Sequence, residues 1–257
     1  MHIRRSYIYL AVGVVFLIYH GIKYLLGKRR ERRTVYSVEE LEIYEKHLET
    51  NWGPVKSVFH ETFSDDDMHI DIYIVKPTEK YPYYTLFTCG MGAKKMPLPE
   101  KAAGKMPDRI ELMLTLPPDW QFNEVCGENE KYDWPIGLLK YLARFPWEEA
   151  TWLGWGHTIQ LTRFAENTQM ESVFLNYPEN YPFEIGYIDF AAGRTVQFVN
   201  VVPVYKEEMD YKLTHGPEAL EKLLGDSLYA PIDPNRKNFA VGNLLSSSEG
   251  EARRQPQ

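Results

Sequence analysis

The sequence predicts an α+β fold in which helices pack on a mostly antiparallel or mixed sheet. Short strand-like runs lie on both sides of one amphipathic helical stretch, residues 134–145. Neighbouring runs are joined by short turns, and strands and helices do not alternate strictly along the chain. A length of 257 residues with 44% apolar side chains is sufficient to bury a core.

The predicted helices are marked by their first turns. Ser37-Val-Glu-Glu40 is a capping-box pattern, and it begins a helix that runs to about His47. The stretch 134–145 places its apolar residues at helical spacing. Residues 203–213 and 217–224 are predicted as the last two helices, the second with proline in its first turn.

The predicted strands are read from alternation and from apolar runs bounded by turn residues. They cover residues 55–63, 68–75, 83–89, 109–116, 171–175 and 196–202. Within the second strand Asp71 and Tyr73 alternate with three isoleucines. We therefore expect one buried face and one face toward water in this strand.

Residues 7–26 read YIYLAVGVVFLIYHGIKYLL and are predicted to span a membrane once. At about 1.5 Å per residue such a helix crosses roughly 30 Å, one hydrocarbon core. A cleaved signal peptide and another apolar helix are the alternatives. Gly27 is followed by Lys-Arg-Arg-Glu-Arg-Arg, which favours a stop-transfer flank over a cleavage site. Because this flank is the more positive one, the body is predicted to be cytoplasmic.

Charge separates the anchor from the body. Residues 1–33 carry a net charge of +7, and the remaining residues carry −14. We predict a membrane anchor with a basic flank over 1–33, a folded domain over 34–240 and a polar disordered tail over 241–257. The acidic body argues against nucleic-acid binding through a broadly basic face, and two cysteines exclude a disulfide scaffold.

The sequence contains no phosphate-binding loop, serine-hydrolase or zinc-protease motif, and no cofactor or metal is predicted. One hydrolytic grouping is left open, with Cys89 as nucleophile, His157 as its base, and Glu111 and Asp119 as paired carboxylates. The structural alternatives are a buried cysteine and strand charges that face outward. Residues 65–67, three aspartates, are either a cation site or a solvated hairpin tip.

Residues 147–158 concentrate three tryptophans, two glycines and a histidine in a dozen positions. Such a stretch forms either a shaped binding loop or a loop folded over the core, since large aromatic side chains serve both purposes. On the first interpretation, the partner-binding residues are Trp120, Trp147, Trp152, Trp155 and His157.

Several blocks of sequence carry a family resemblance when taken in order. They lie at residues 84–92 (YTLFTCGMG), 109–120 (RIELMLTLPPDW), 134–135 with 142–146, 151–158 (TWLGWGHT), 202–211 and 233–236. Together they resemble the suppressor of fused domain family in its bacterial form, over about residues 40–240. The resemblance implies a mixed α/β domain with no established catalysis.

The resemblance also implies a binding function. In animals the family member restrains zinc-finger transcription factors of Hedgehog signalling, using two domains that clamp an extended peptide, and this chain resembles only the first domain. Bacterial relatives are proposed to be immunity proteins that neutralise toxins. We therefore predict a non-catalytic protein-binding module, tethered to the membrane, whose partner is a protein such as a basic toxin. The alternatives are the hydrolase above and a lipid-surface protein whose anchor is its function.

Overall fold

The structure is a computed structural model that describes residues 35–61, 68–123, 129–190 and 193–241. The predicted anchor, the aspartates at 65–67 and almost all of the predicted tail lie outside these ranges. None of the helices within them is long and apolar enough to cross a membrane.

Four α-helices and eight strands are described. The helices are α1 (Val38–Asn51), α2 (Glu130–Glu148), α3 (Lys206–His215) and α4 (Pro217–Leu224). The strands are β1 (Val55–Phe59), β2 (Asp71–Val75), β3 (Tyr84–Cys89), β4 (Ile110–Leu116), β5 (Thr158–Gln160), β6 (Ser172–Asn176), β7 (Tyr187–Phe190) and β8 (Arg194–Val204).

These strands form one mixed sheet in the order β1-β2-β3-β4-β8-β6-β5, and β7 pairs with the first half of β8. Every pairing is antiparallel except that of β4 with β8, which is parallel from Ile110 opposite Gln197 to Met113 opposite Asn200. The predicted α+β class with a mixed sheet is therefore confirmed. The predicted capping box is confirmed as well, since Ser37 Oγ accepts from Glu40 N and the Glu40 carboxylate accepts from Ser37 N.

Helices cover both faces of the sheet. The α2 face is apolar and includes Ile72, Ile74, Leu86, Leu112, Leu114, Val199 and Val201. The α1 face is rich in aromatic rings and includes Tyr44, Trp52, Tyr73, Phe87 and Phe198. Farther along this second face, α3 and α4 cover Phe174, Val202 and Val204.

The expectation that Tyr73 faces water is wrong. Its side chain is only 4% exposed, because α1 covers this face of the sheet and the Tyr44 ring lies 5.5 Å away. The Tyr73 hydroxyl reaches the edge of α1, where it donates to Glu45 Oε1 at 2.8 Å. The alternating side chains of β2 therefore point to two faces of the sheet that are both buried, and neither face is exposed to solvent.

The C-terminal boundaries also differ from prediction. Pro203 belongs to β8 rather than to a helix, and α3 begins at Lys206 after Tyr205 as N-cap. The Pro203 carbonyl accepts a hydrogen bond from Arg236 Nη2 at 3.0 Å, which holds this end of β8 in extended form. Strands β5 and β7 were not predicted, since each is too short to show a clear period.

Candidate functional site

An open groove of about 1040 Å³ lies beside the β7–β8 hairpin. Thr195, Gln197 and Tyr187 line it from the sheet. Val196 and Phe198 alternate with the β8 residues and pack among the aromatic rings under α1. The groove therefore opens on the opposite face of the sheet from α1.

The first wall of the groove is the long connection between β3 and β4. Its lining residues are Lys95, Met96, Pro97, Leu98, Ala103, Gly104, Lys105, Met106, Pro107 and Asp108. Arg109 Nη1 donates to the carbonyls of Gly92 and Ala93 at 2.8 and 2.5 Å, and Met96 N donates to Asp108 O at 2.8 Å. These bonds hold the wall in one conformation without a regular helix or strand.

The second wall carries two Tyr-Pro pairs, Tyr177-Pro178 and Tyr181-Pro182, followed by Phe183. Tyr181 anchors this wall, because its ring packs 4.9 Å from that of Tyr81 and its hydroxyl forms a 2.9 Å hydrogen bond with that of Tyr83. Its burial raises its pKa. Phe183 instead points outward and is 74% exposed. The second wall therefore has one buried, packed aromatic residue, Tyr181, and one exposed aromatic residue, Phe183.

The tryptophan-rich stretch 147–158 begins in the last turn of α2 and continues as a loop, and it contacts the first wall. Trp147 Nε1 donates to Lys95 O at 3.1 Å, and Leu153 N donates to Met96 Sδ at 3.5 Å. A Cβ atom added at Gly154 would lie 2.9 Å from the Trp152 ring and 3.5 Å from Met106 Cε, so a larger residue here would force the ring to shift. The stretch therefore packs on the core and contacts a wall of the groove, and its role in binding a partner stays a prediction.

Trp152, Trp155 and His157 lie together in this loop. The Trp152 and His157 rings are 4.2 Å apart, and His157 Nδ1 donates to Trp152 O at 3.1 Å. Burial lowers the pKa of His157, which favours its neutral form. Trp155 Nε1 donates to Glu221 Oε1 at 2.7 Å, so the loop is also tied to α4.

Trp120 does not join the other predicted partner-binding residues. It is 9% exposed, its Nε1 donates to Tyr132 O at 3.1 Å, and its ring packs 6.3 Å from that of Trp134. Trp120 therefore stabilises the start of α2 and offers little surface to a partner.

The four side chains of the hydrolytic grouping are not brought together. Glu111 is buried near the start of β4, whereas Asp119 is exposed in the turn three residues beyond its end, and the strand from Glu111 to Leu116 spans about 16 Å. Cys89 ends β3 and His157 precedes β5, and these strands are four spacings apart, roughly 19 Å. Burial also raises the pKa of the Cys89 thiol, which opposes formation of a nucleophilic thiolate.

The expectation that Glu111 faces outward is wrong, because helices cover both sides of the sheet. Its carboxylate is fully buried, and Oε1 accepts from Tyr36 Oη at 2.8 Å, from Gly90 N at 2.9 Å and from Gly92 N at 2.8 Å. Oε2 accepts from Thr88 Oγ1 at 2.5 Å. Burial raises the Glu111 pKa to about 7, although each of these bonds favours the charged form.

A second buried carboxylate, Glu208, closes the C-terminal end of the fold. Arg236 Nη1 and Nη2 donate to its two oxygens at 2.7 and 2.5 Å. The backbone N–H groups of Tyr205 and Phe239 complete the set at 3.0 Å each. Within the described ranges, no group of His, Cys, Asp and Glu side chains is placed to hold a metal ion.

Sequence reasoning missed the second wall of the groove. The signal that identifies it is the repeated Tyr-Pro pair in NYPENYPF, residues 176–183. Proline fixes its own backbone, and a neighbouring tyrosine supplies a flat contact surface, so a repeated pair of this kind indicates a rigid aromatic wall.

Comparison with known proteins places the chain by sequence and by fold. The family described as suppressor of fused protein (SUFU) matches residues 66–237, more than half of the chain. The uncharacterized protein UU111 of Ureaplasma parvum serovar 3 is 28% identical over 208 residues, which cover 79% of this chain and 97% of that protein.

Two solved structures share the fold. A chain in the crystal structure of the Sufu–Fu complex aligns with a TM-score of 0.57 and 15% identity, over 84% of this chain and 98% of that chain. A structure assigned as a SUFU homologue of Neisseria gonorrhoeae FA 1090 aligns with a TM-score of 0.58 and 16% identity, over 79% and 98%.

Proposed function

The chain belongs to the suppressor of fused family, and on this premise we propose that it is a non-catalytic protein-binding module. The observation that carries the proposal is the groove beside β7 and β8. Its two walls are held in place by hydrogen bonds and ring packing, while apolar side chains such as Phe183 remain exposed along it. Exposed apolar surface within a rigid, concave frame is typical of a protein-interaction site.

The separation of the candidate catalytic side chains supports a binding role over hydrolysis. A nucleophile and its base must lie within hydrogen-bond reach of each other, whereas Cys89 ends β3 and His157 lies just before β5, four strand positions away in the sheet. The carboxylates of Glu111 and Glu208 are both saturated by donors from the fold itself. Their placement supports structural roles.

We further propose that residues 7–26 tether the body to a membrane, with the body in the cytoplasm. The length of the apolar run and the basic residues that follow it support this arrangement. Fractionation of cells that produce the full chain, compared with a chain lacking residues 1–33, tests the tether. The full chain should resist carbonate extraction from membranes, and the shortened chain should not.

The partner class that we propose is a basic toxin, which the chain neutralises as an immunity protein. The charge of −14 outside residues 1–33 supports this, because opposite charge accelerates and orients association. Part of that charge lies on α1, where Glu39, Glu42, Glu45 and Glu49 are exposed.

Growth protection tests this function. The full chain is co-expressed with the toxin encoded beside its own gene, and an unrelated toxin serves as the control. Restored growth with the neighbouring toxin alone, together with a purified complex of the two proteins, is the expected result. Failure of both rescue and complex formation contradicts the immunity function.

A further inference from the structure

The groove presents polar groups that have no partner among the residues that the structure describes. Tyr177 and Tyr187 line it, and neither hydroxyl forms a hydrogen bond there. A tyrosine hydroxyl is protonated at neutral pH and can donate, and burial raises the pKa of both groups further. The side-chain amide of Gln197 is likewise unpaired within the described ranges.

The groove lining contains prolines and aromatic rings. Four prolines and the ring of Phe183 stand around the tyrosines, and the Phe183 and Tyr187 rings lie 4.8 Å apart. A polyproline helix places flat proline rings against such aromatic side chains, and its carbonyl oxygens accept from hydroxyl donors. The groove supplies both features.

The charged side chains of the groove also affect which proline-containing ligands it favours. The ammonium group of Lys105 on the first wall has no ion pair or hydrogen bond within the described part of the chain. On the opposite wall the carboxylate of Glu179 accepts a hydrogen bond from Tyr229 Oη at 3.3 Å. Lys95 differs, because it pairs with Asp108 at 2.6 Å. One unpaired positive charge, that of Lys105, thus lies at the first wall, and it favours a carboxylate on the part of the ligand that faces this wall.

We propose that this groove binds an extended, proline-containing segment of a separate protein, with acidic residues beside the prolines. The prolines lie against Tyr177, Tyr187 and Phe183, and the acidic residues face Lys105. The proposal rests on the proposed function as a protein-binding module and names the surface and the chemistry of the segment that it recognises.

The test uses the full chain in a mild detergent and fluorescein-labelled peptides, read by fluorescence polarisation. The probes are EEPPLPPLP, the basic version KKPPLPPLP and the flexible version EEGSGSLSG. The unmodified chain should bind the acidic proline peptide about tenfold more tightly than either of the others. Equal binding of all three peptides overturns the proposal.

Groove variants identify where the peptide binds. Lys105→Glu should reverse the preference between the acidic and basic proline peptides, and Tyr187→Phe should weaken binding several-fold by removing one hydroxyl donor. Lys222→Glu on α4 and Tyr141→Ala on α2, both exposed and neither in the groove lining, are the matched controls and should leave affinity unchanged. Peptide binding that ignores both groove variants contradicts the assignment.

Two other occupants of the groove have distinct signatures. If the chain's own residues 242–257 fill it, removing them should strengthen peptide binding by about tenfold. If a second copy fills it, the chain should dimerise in light scattering and Phe183→Ala should abolish the dimer. Either result overturns the proposal of a separate partner. Peptide binding without growth protection against the toxin refutes the immunity function alone, whereas protection without peptide binding refutes the groove assignment alone.

Discussion

The hydroxyl of Tyr36 donates a 2.8 Å hydrogen bond to the buried carboxylate of Glu111, across 75 positions of sequence. This bond fixes the first described residues to the start of β4. The same carboxylate fixes the turn after β3 through Gly90 and Gly92. One side chain therefore joins three separate segments where the groove's first wall begins.

Loss of the Tyr36 hydroxyl should destabilise the fold. Tyr36→Phe removes one donor from a buried carboxylate, and we expect the free energy of unfolding to fall by about 1–3 kcal/mol. Urea denaturation measures the change, with the exposed Tyr141→Phe as control. Equal midpoints for the two variants would show that the bond contributes nothing net.

Glu111 should make stability depend on pH. Its pKa is raised from 4.5 to about 7 in the folded protein. Between these values the folded state holds a proton that the unfolded state has lost, so this group's contribution to stability falls as pH rises from about 4.5 to about 7. Across this pH range, the contribution of Glu111 to the free energy of unfolding decreases by about 3 kcal/mol.

The Glu111→Gln variant isolates this effect, since its amide does not titrate in that range. Urea midpoints of both proteins at pH 5, 6 and 7.5 give the comparison. The difference in unfolding free energy between variant and unmodified chain should change across the series in favour of the variant at high pH. A constant difference would contradict the raised pKa.

Removal of the Arg236 guanidinium should lower the free energy of unfolding more than a typical substitution of an exposed residue does. Arg236→Ala leaves the fully buried Glu208 carboxylate without its charge partner, and we expect a loss of about 3–5 kcal/mol. Arg163→Ala, at an exposed position, is the control. The double variant Arg236→Met with Glu208→Leu should recover much of the loss, because the unpaired charge is gone.

Gly154→Ala should disturb the loop behind the groove. The added methyl would meet the Trp152 ring at 2.9 Å, and such overpacking costs about 1–3 kcal/mol. Gly137→Ala is the matched control, because nothing lies within 4 Å of its added Cβ and α2 gains from alanine by up to about 1 kcal/mol. The melting temperature should fall for Gly154→Ala and rise for Gly137→Ala. Tryptophan fluorescence should also differ between the two variants.

The Cys89 thiol should not react with thiol-specific reagents in the folded protein. Its thiol is buried and its pKa is raised, so the reactive thiolate is scarce. In a Cys126→Ser background, a thiol-specific chromogenic reagent should label Cys89 only after denaturation. Rapid labelling under native conditions would show that this part of the core opens readily.

Local signals predicted most of the elements. The Ser37 capping box, the turn residues around β3 and β4, and the proline that begins α4 each act within a few residues of chain. Such signals are readable because their cause lies nearby in sequence. The order of the predicted helices and strands along the chain then indicated the α+β fold class.

Long-range effects could not be predicted in the same way. Glu111 lies in a strand whose sequence is consistent with an outward charge, and its burial depends on Tyr36 and on helices that cover both faces. The groove depends on two irregular segments that meet only in the folded chain. Neither segment has a period that a single sequence reveals.

The parallel contact of β4 with β8 determines when a newly made chain can complete its sheet. Strands β1 to β4 pair in succession, but the open side of β4 meets β8 only after α2, β5, β6 and β7 have left the ribosome. Until then, a strand that will be wholly buried presents free backbone groups to its surroundings. Chains cut short before β8 are therefore expected to aggregate rather than to persist as smaller working proteins.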